Sequence, residues 1–418
     1  MSRDSINIYK FAALLVEEEF IIDSVTRQQA FIVLLLTVFM GSFGVSMVGP
    51  ILPIYVQSMG ADGLVLALSF SAAAFSSILV LPFVGSLGDR YGRKPFLLFG
   101  IGVSVISATG YYFSDTILLI ILFRVISGLG TSFWFALSSA SVGDLSPPRE
   151  EGKYMSILGV ADLIGFGTGP LASGVIRDYF GFPAVFLGMG AVMLLVFLLI
   201  AVGLPKITSI KSVASIGRGV PLTAVRWRDV ILMPLLQGLT LVTLGHAIAF
   251  GATLTFLALY LDTNLLFTAT AIGMILTGQE LVAGLLQPIF GRLADRYNRR
   301  YLIVLGILIQ SIGILSLAGL TNFWMIFISF VFVGGFGHSL WSAAQRAALV
   351  VVGREIGMAK TMSFLELVFV SGLLLGSIGA GLLSQRVSIP IIFAICAGVI
   401  LVGGVLFMIR SRGQQLSV

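Results

Sequence analysis

Charged residues divide this chain into apolar runs, each near the roughly 20 residues an α-helix needs to cross about 30 Å of hydrocarbon. Twelve runs are read: 30–57, 63–86, 95–113, 116–142, 155–176, 183–203, 231–260, 267–290, 300–319, 322–345, 359–383 and 389–409. Apolar residues fill every face of these runs instead of alternating, which argues against the strands of a membrane barrel. Of the 418 residues, 57% are hydrophobic and 11% charged, whereas a soluble domain carries about a quarter charged. The 49 glycines suit helices that pack closely in lipid. The expected fold is an all-α integral membrane protein with twelve transmembrane helices.

Lysine and arginine positions set the expected orientation. With the N-terminus inside, 22 of the 25 basic residues fall in inner segments; the outer loops hold Arg177 and Arg386, and Arg124 lies within a span. Both termini are therefore expected in the cytoplasm, and the net charge of +6 reads as a topology signal, with no nucleic-acid partner. Residues 1–29 read as a cytoplasmic lead-in, because Phe11–Val16 is too short and Glu17, Glu18 and Glu19 too acidic for a signal peptide. The expected division is a bundle over 30–204, a cytoplasmic linker over 205–230, a second bundle over 231–409 and a tail over 410–418. Cys396 is the single cysteine, which excludes a disulfide framework or a cysteine-based metal site. No Walker loop, His-Glu-x-x-His or Gly-x-Ser-x-Gly occurs, so neither ATP-driven work nor an enzyme is expected, and no cofactor or metal.

The two bundles can be laid on each other. At an offset of 206, Pro82, Gly85, Leu87, Asp89-Arg90-Tyr91 and Arg93 meet Pro288, Gly291, Leu293, Asp295-Arg296-Tyr297 and Arg299. At 207, Gly128, Gly130 and Trp134 meet Gly335, Gly337 and Trp341, and Lys153, Met155 and Ser156 meet Lys360, Met362 and Ser363. Gly165, Gly169 and Gly174 likewise meet Gly372, Gly376 and Gly381. Six spans per half give the repeats one orientation, related by an axis along the membrane normal, with a solute path expected between them.

These motifs resemble the major facilitator superfamily over residues 30–409. The segment from Gly85 through Asp89, Arg90, Gly92 and Arg93 to Lys94 looks like the family's loop motif between its second and third helices, and Gly291–Arg300 like a degenerate second copy. Asn298 stands where the first copy has Gly92, so the second loop is expected to turn differently. Three further matches resemble the twelve-span drug:proton antiporters. They are Gly44 with Pro50-Ile-Leu-Pro53, Arg124 with Ser127, Gly128 and Gly130, and the fifth-helix antiporter motif of Gly165, Gly169, Pro170, Ser173 and Gly174. The resemblance implies a two-bundle fold with a cytoplasmic gate at Asp89 and its copy, Asp295-Arg296. It also implies a role for Arg124 in proton transfer.

Four charged residues sit inside apolar spans: Arg124, Asp162, Glu280 and Glu366. Each costs on the order of 3 kcal/mol to insert, so each is expected to be paired, wetted or protonated, and is a candidate for proton coupling. Glu280 is nearest a midplane and shares a helical stripe with Ala283, Gly284 and Gln287; the alternative for it is a structural hydrogen bond. Asp162 falls on the small-residue stripe of Gly165 and Gly169. Candidates to line the solute cavity are His246, His338, Trp134, Trp341 and Gln279, with plain packing or hydrogen bonding as the alternative for each. The expected activity is proton-coupled efflux of small lipophilic or cationic compounds by alternating access, with small-molecule substrate, protons and bilayer as partners and a monomer as the working unit. The expected location is an inner or plasma membrane. Symport or facilitation of a sugar or amino acid, and a non-transporting sensor or lipid-handling protein, remain open.

Overall fold

In the computed structural model, residues 24–147, 151–205, 233–356 and 358–411 are described. Nearly all of the linker over 205–230 and of the lead-in and most of the tail lie outside them, as do the side chains of Asp89, Lys360, Met362 and Ser363. The described chain is helical throughout. The helices are α1 Ser24–Ser58, α2 Gly63–Tyr91, α3 Arg93–Phe113, α4 Ile117–Leu145, α5 Glu151–Gly203, α6 Pro234–Thr263, α7 Ala269–Ala294, α8 Arg299–Ser316, α9 Phe323–Ile326, α10 Gly335–Ile356, α11 Met358–Ser384 and α12 Ile389–Arg410.

Among the described residues, eleven helical spans are long and apolar enough to cross a membrane, where the sequence suggested twelve. The difference lies in α5, whose 53 residues join two of the apolar runs without an unwound loop. At 1.5 Å per residue a straight helix of that length would extend about 80 Å, far beyond one bilayer. The break is at Gly181, where φ of 80° and ψ of 179° leave the helical region. A glycine meets that conformation without the steric cost a side chain brings. Two other departures are local. The first helix starts at Ser24, ahead of the position expected, and a π-helix over Phe327–Gly334 joins α9 to α10 within a single span.

Two cores form. Leu34, Ile51, Leu97, Tyr111 and Phe186 centre one; Leu239, Phe256, Ile303, Trp341 and Phe393 centre the other, which also takes in Ile54 and Leu66 of the first half. Large side chains such as Phe113, Leu118 and Val202 stay exposed on the outside, as they must on a surface that meets lipid tails rather than water.

The repeat recurs in three dimensions. Gly100 packs against the Trp134 backbone and the Gly130 carbonyl, while Gly306 packs against the Trp341 backbone and the Gly337 carbonyl. Lys94 Nζ donates to the carbonyls of Ala201 at 2.8 Å and Leu204 at 2.5 Å, and Arg300 Nη2 donates to Met408 O at 2.5 Å. In both halves a cation thus satisfies the open carbonyls at a helix C-terminus.

Candidate functional site

The halves meet along α5 against α7 and along α2 against α11. Gly174 lies on the backbone of Ala269, and Gly273 on that of Pro170 and Leu171. Leu171 N donates to Thr277 Oγ1 at 3.1 Å. Gly381 meets Gly63 and Ala67 in the matching position of the other seam. Beyond these contacts two adjacent side chains reach across. Arg177 Nη1 donates to Asp262 Oδ1 at 2.6 Å, and Asp178 accepts from Ala269 N, Thr270 N and Thr270 Oγ1 at 3.0, 2.8 and 2.6 Å. Toward the other end, Leu163 packs on Gly284, whereas side chains built at Gly85, Gly159 and Gly291 would meet nothing within 4 Å.

Two of the acids lie along the seam of α5 and α7, Asp162 on α5 and Glu280 on α7. Glu280 Cβ lies 3.3 Å from where a Cβ on Gly167 would stand, so it faces α5. Asp162 accepts a short hydrogen bond from Ser42 Oγ of α1. Asp162 is also within electrostatic reach of Glu280, Glu366 and Arg346. Arg346 and Glu366 are exposed. The sequence places Arg346 in the loop after the run ending at 345; α10 instead continues to Ile356 and includes it in the span Phe323–Leu349. There Arg346 Nη1 donates to Gln287 Oε1 at 3.0 Å, and Gln287 Nε2 donates to Ser342 Oγ at 3.4 Å. Arg124 is therefore not the sole base within a span. It donates from Nη2 to Phe70 O at 2.9 Å and lies 5.1 Å from the Phe70 ring centre.

Three of the proposed cavity residues gather in the second half. The His246 ring lies 5.0 Å from His338 and 4.8 Å from Trp341, with Phe250 at 5.7 Å. Trp341 Nε1 donates to Gln310 Oε1 at 2.7 Å, which turns the Gln310 amide toward His246 Nδ1 at 3.4 Å. Gln310 was not singled out from sequence, where it reads as an isolated amide in an apolar run. Trp134 lies apart from this cluster, buried against Gly41 of α1. Gln279 is buried where the backbone of α7 meets Gly335.

In the first loop motif, Gly92 has φ of 87° and turns α2 into α3, whereas Asn298 has φ of −62° and caps α8 through Arg300 N. The two loops turn differently, as the Gly-to-Asn difference suggested. Arg93 pairs with Asp144 at 2.7 Å, a carboxylate at the end of α4 that sequence reasoning did not single out. Arg90 lies over the Tyr91 ring, and Asp295 and Arg296 are exposed, with Asp295 ending α7.

The profile of the Major Facilitator Superfamily matches residues 34–263 and 239–416. The chain belongs to this superfamily. Its curated relatives include an uncharacterised MFS-type transporter of Methanocaldococcus jannaschii, 25% identical over 90% of this chain and 97% of that one. A multi-drug resistance efflux pump PmrA homolog of Lactococcus lactis is 28% identical over 84% and 88%, and the quinolone resistance protein NorA of Staphylococcus aureus 26% over 91% and 96%. A bacterial homolog of the human lysosomal transporter Spinster, solved in an inward-facing, unoccupied conformation, shares the fold with TM-score 0.76 at 15% identity, covering 93% and 98%. In this superfamily transporter the fifth-helix glycines serve both neighbours of α5. Gly165 and Gly169 press on the Phe39 and Phe43 carbonyls of α1, and Gly174 on α7.

Proposed function

We propose that this superfamily transporter is a proton-coupled exporter of small lipophilic or cationic compounds. It crosses the cell membrane twelve times with both termini in the cytoplasm, and it works as a monomer. The observation that carries the reading is the placement of Glu280 against Gly167 at the seam between the halves, within electrostatic reach of Asp162. Two buried carboxylates that feel each other's charge favour binding a proton or a cation. A protonated pair releases its proton as a cationic solute arrives, and the reverse exchange resets the site. Gly181 then serves as the outer turn between the fifth and sixth passes, and closure at Arg177, Asp178 and Asp262 makes the present state the one open to the cytoplasm. Arg124 remains the candidate for moving the proton, and the stacked His246, His338 and Trp341 for contacting an aromatic solute.

The test is flux in liposomes of purified protein under an imposed pH gradient, with cationic dyes, sugars and amino acids as the panel. Dye accumulation that dissipates the gradient supports exchange. Sugar or amino-acid uptake coupled to proton entry would replace it with symport, and binding without flux would make the protein a sensor.

A further inference from the structure

The geometry points to an anion-recognising subsite at Arg346, so that the preferred ligands are amphoteric molecules with a basic nitrogen and a carboxylate within about 10 Å of each other. This deepens the transport reading by naming a ligand class. Arg346 is exposed on the side of α10 that meets α7. Among the described residues it makes one hydrogen bond, Nη1 to Gln287 Oε1 at 3.0 Å, although a guanidinium carries five N–H donors. Gln287 is itself held by Ser342, so the anchor fixes the guanidinium without neutralising it. The remaining donors match a carboxylate in a bidentate fork.

The spacing follows from α7. Glu280, facing Gly167, and Gln287, holding Arg346, share one helix face seven residues apart, which is about 10 Å along the axis. A ligand nitrogen at the Asp162 and Glu280 end therefore puts an acid group of the same molecule near Arg346. Asp162 and Arg346 already sense one another across the two halves. A ligand that carries only a cation meets the Arg346 charge as repulsion. At 10 Å and an effective dielectric constant of about 20, that is worth roughly tenfold in affinity.

The experiment measures fluorescence anisotropy of two dyes on the purified full-length protein: rhodamine 110, with a free carboxyl group, and rhodamine 123, its methyl ester. The parent is expected to bind the acid at least about tenfold more tightly than the ester. Arg346→Gln is expected to erase that preference while leaving ester affinity equal or better, and Arg346→Lys to retain part of it. Gln287→Leu, which keeps the charge and removes its anchor, is expected to narrow the preference and serves if Arg346→Gln folds poorly. Equal affinities in the parent, no binding of either dye, an equal loss of both in Arg346→Gln, or an unchanged preference in Gln287→Leu overturns the subsite. Liposome flux of rhodamine 123 reports separately on transport. Flux without an acid preference in binding removes the subsite and keeps the transporter, whereas the preference without flux does the reverse.

Discussion

Asp178 accepts the backbone N–H groups of Ala269 and Thr270 at 3.0 and 2.8 Å, so a carboxylate of the first half caps a helix of the second. The first turn of any helix leaves N–H groups without intrahelical partners, and an anion there also meets the favourable end of the helix dipole. Asp178→Ala is expected to cost about 1 kcal/mol, the worth of an N-cap. Because the capped helix lies across the seam, that loss should loosen closure at this end. Hydrogen exchange read by mass spectrometry over residues 262–277 is expected to quicken in the variant. Unchanged exchange would show that the Arg177 and Asp262 pair holds the end by itself.

Gly169 stands where a Cβ would fall on Ser46 Oγ, 2.5 Å from Phe43 O and 3.1 Å from Met47 N. Two of these are backbone atoms, which cannot turn aside as a flexible side chain can. Gly169→Leu is therefore expected to force α1 from α5 and remove most folded protein, and Gly169→Ala to lower the melting temperature. Gly159 provides the control, since a Cβ there meets nothing within 4 Å. Gly159→Ala should be neutral, or stabilising by up to about 1 kcal/mol through helix propensity. Similar melting temperatures for Gly169→Ala and Gly159→Ala would mean that α1 gives way easily.

Arg93 and Asp144 form a 2.7 Å ion pair with only 4% and 7% of their side-chain surface exposed. Removing one partner of such a pair loses a charge-assisted contact that water cannot readily replace at this burial. Asp144→Asn is expected to lower the melting temperature, and Asp144→Glu, which keeps the charge, to lower it less. Thermal melting of the two variants checks this, and an unchanged melting temperature in Asp144→Asn would rule it out.

The twelve apolar runs anticipate the helical content because crossing lipid demands length and apolarity that are visible residue by residue. They fail where a helix outlasts the hydrocarbon. Asp144 and Arg346 each lie just past the end of a run read from sequence, yet α4 continues to Leu145 and α10 to Ile356. Polar residues cost less near the membrane edge, so polarity there does not mark the end of a helix. The Gly181 junction was read as a loop for the opposite reason: a break of one residue leaves almost no polar signature. Among site residues, Glu280 and Asp162 stood out individually as charges in apolar runs. Their approach through Gly167, like that of His246 to His338, depends on how helices far apart in sequence pack. Gln310 carries no such mark, since its place comes wholly from its bonds to Trp341 and His246.

Glu280 is the acid whose replacement best separates coupling from folding. Its Cβ faces a glycine, so the amide of Glu280→Gln fits the same space, while the ability to exchange a proton is lost. Asp162 differs because it accepts the hydroxyl of Ser42 on α1 and so ties two helices of the first half. Asp162→Asn is expected to lower the yield of folded protein, whereas Glu280→Gln should fold normally. In liposomes with an imposed pH gradient, Glu280→Gln is expected to lose proton-driven accumulation by at least about tenfold, since a cation can no longer displace a proton from this carboxyl. Exchange of an uncharged substrate down its own gradient should persist, because the helix packing is untouched. Proton release on adding a cationic dye to detergent-solubilised protein gives the decisive readout. The parent is expected to acidify an unbuffered solution, and Glu280→Gln to leave it unchanged. If the variant releases protons as the parent does, coupling passes to Asp162 or to Glu366.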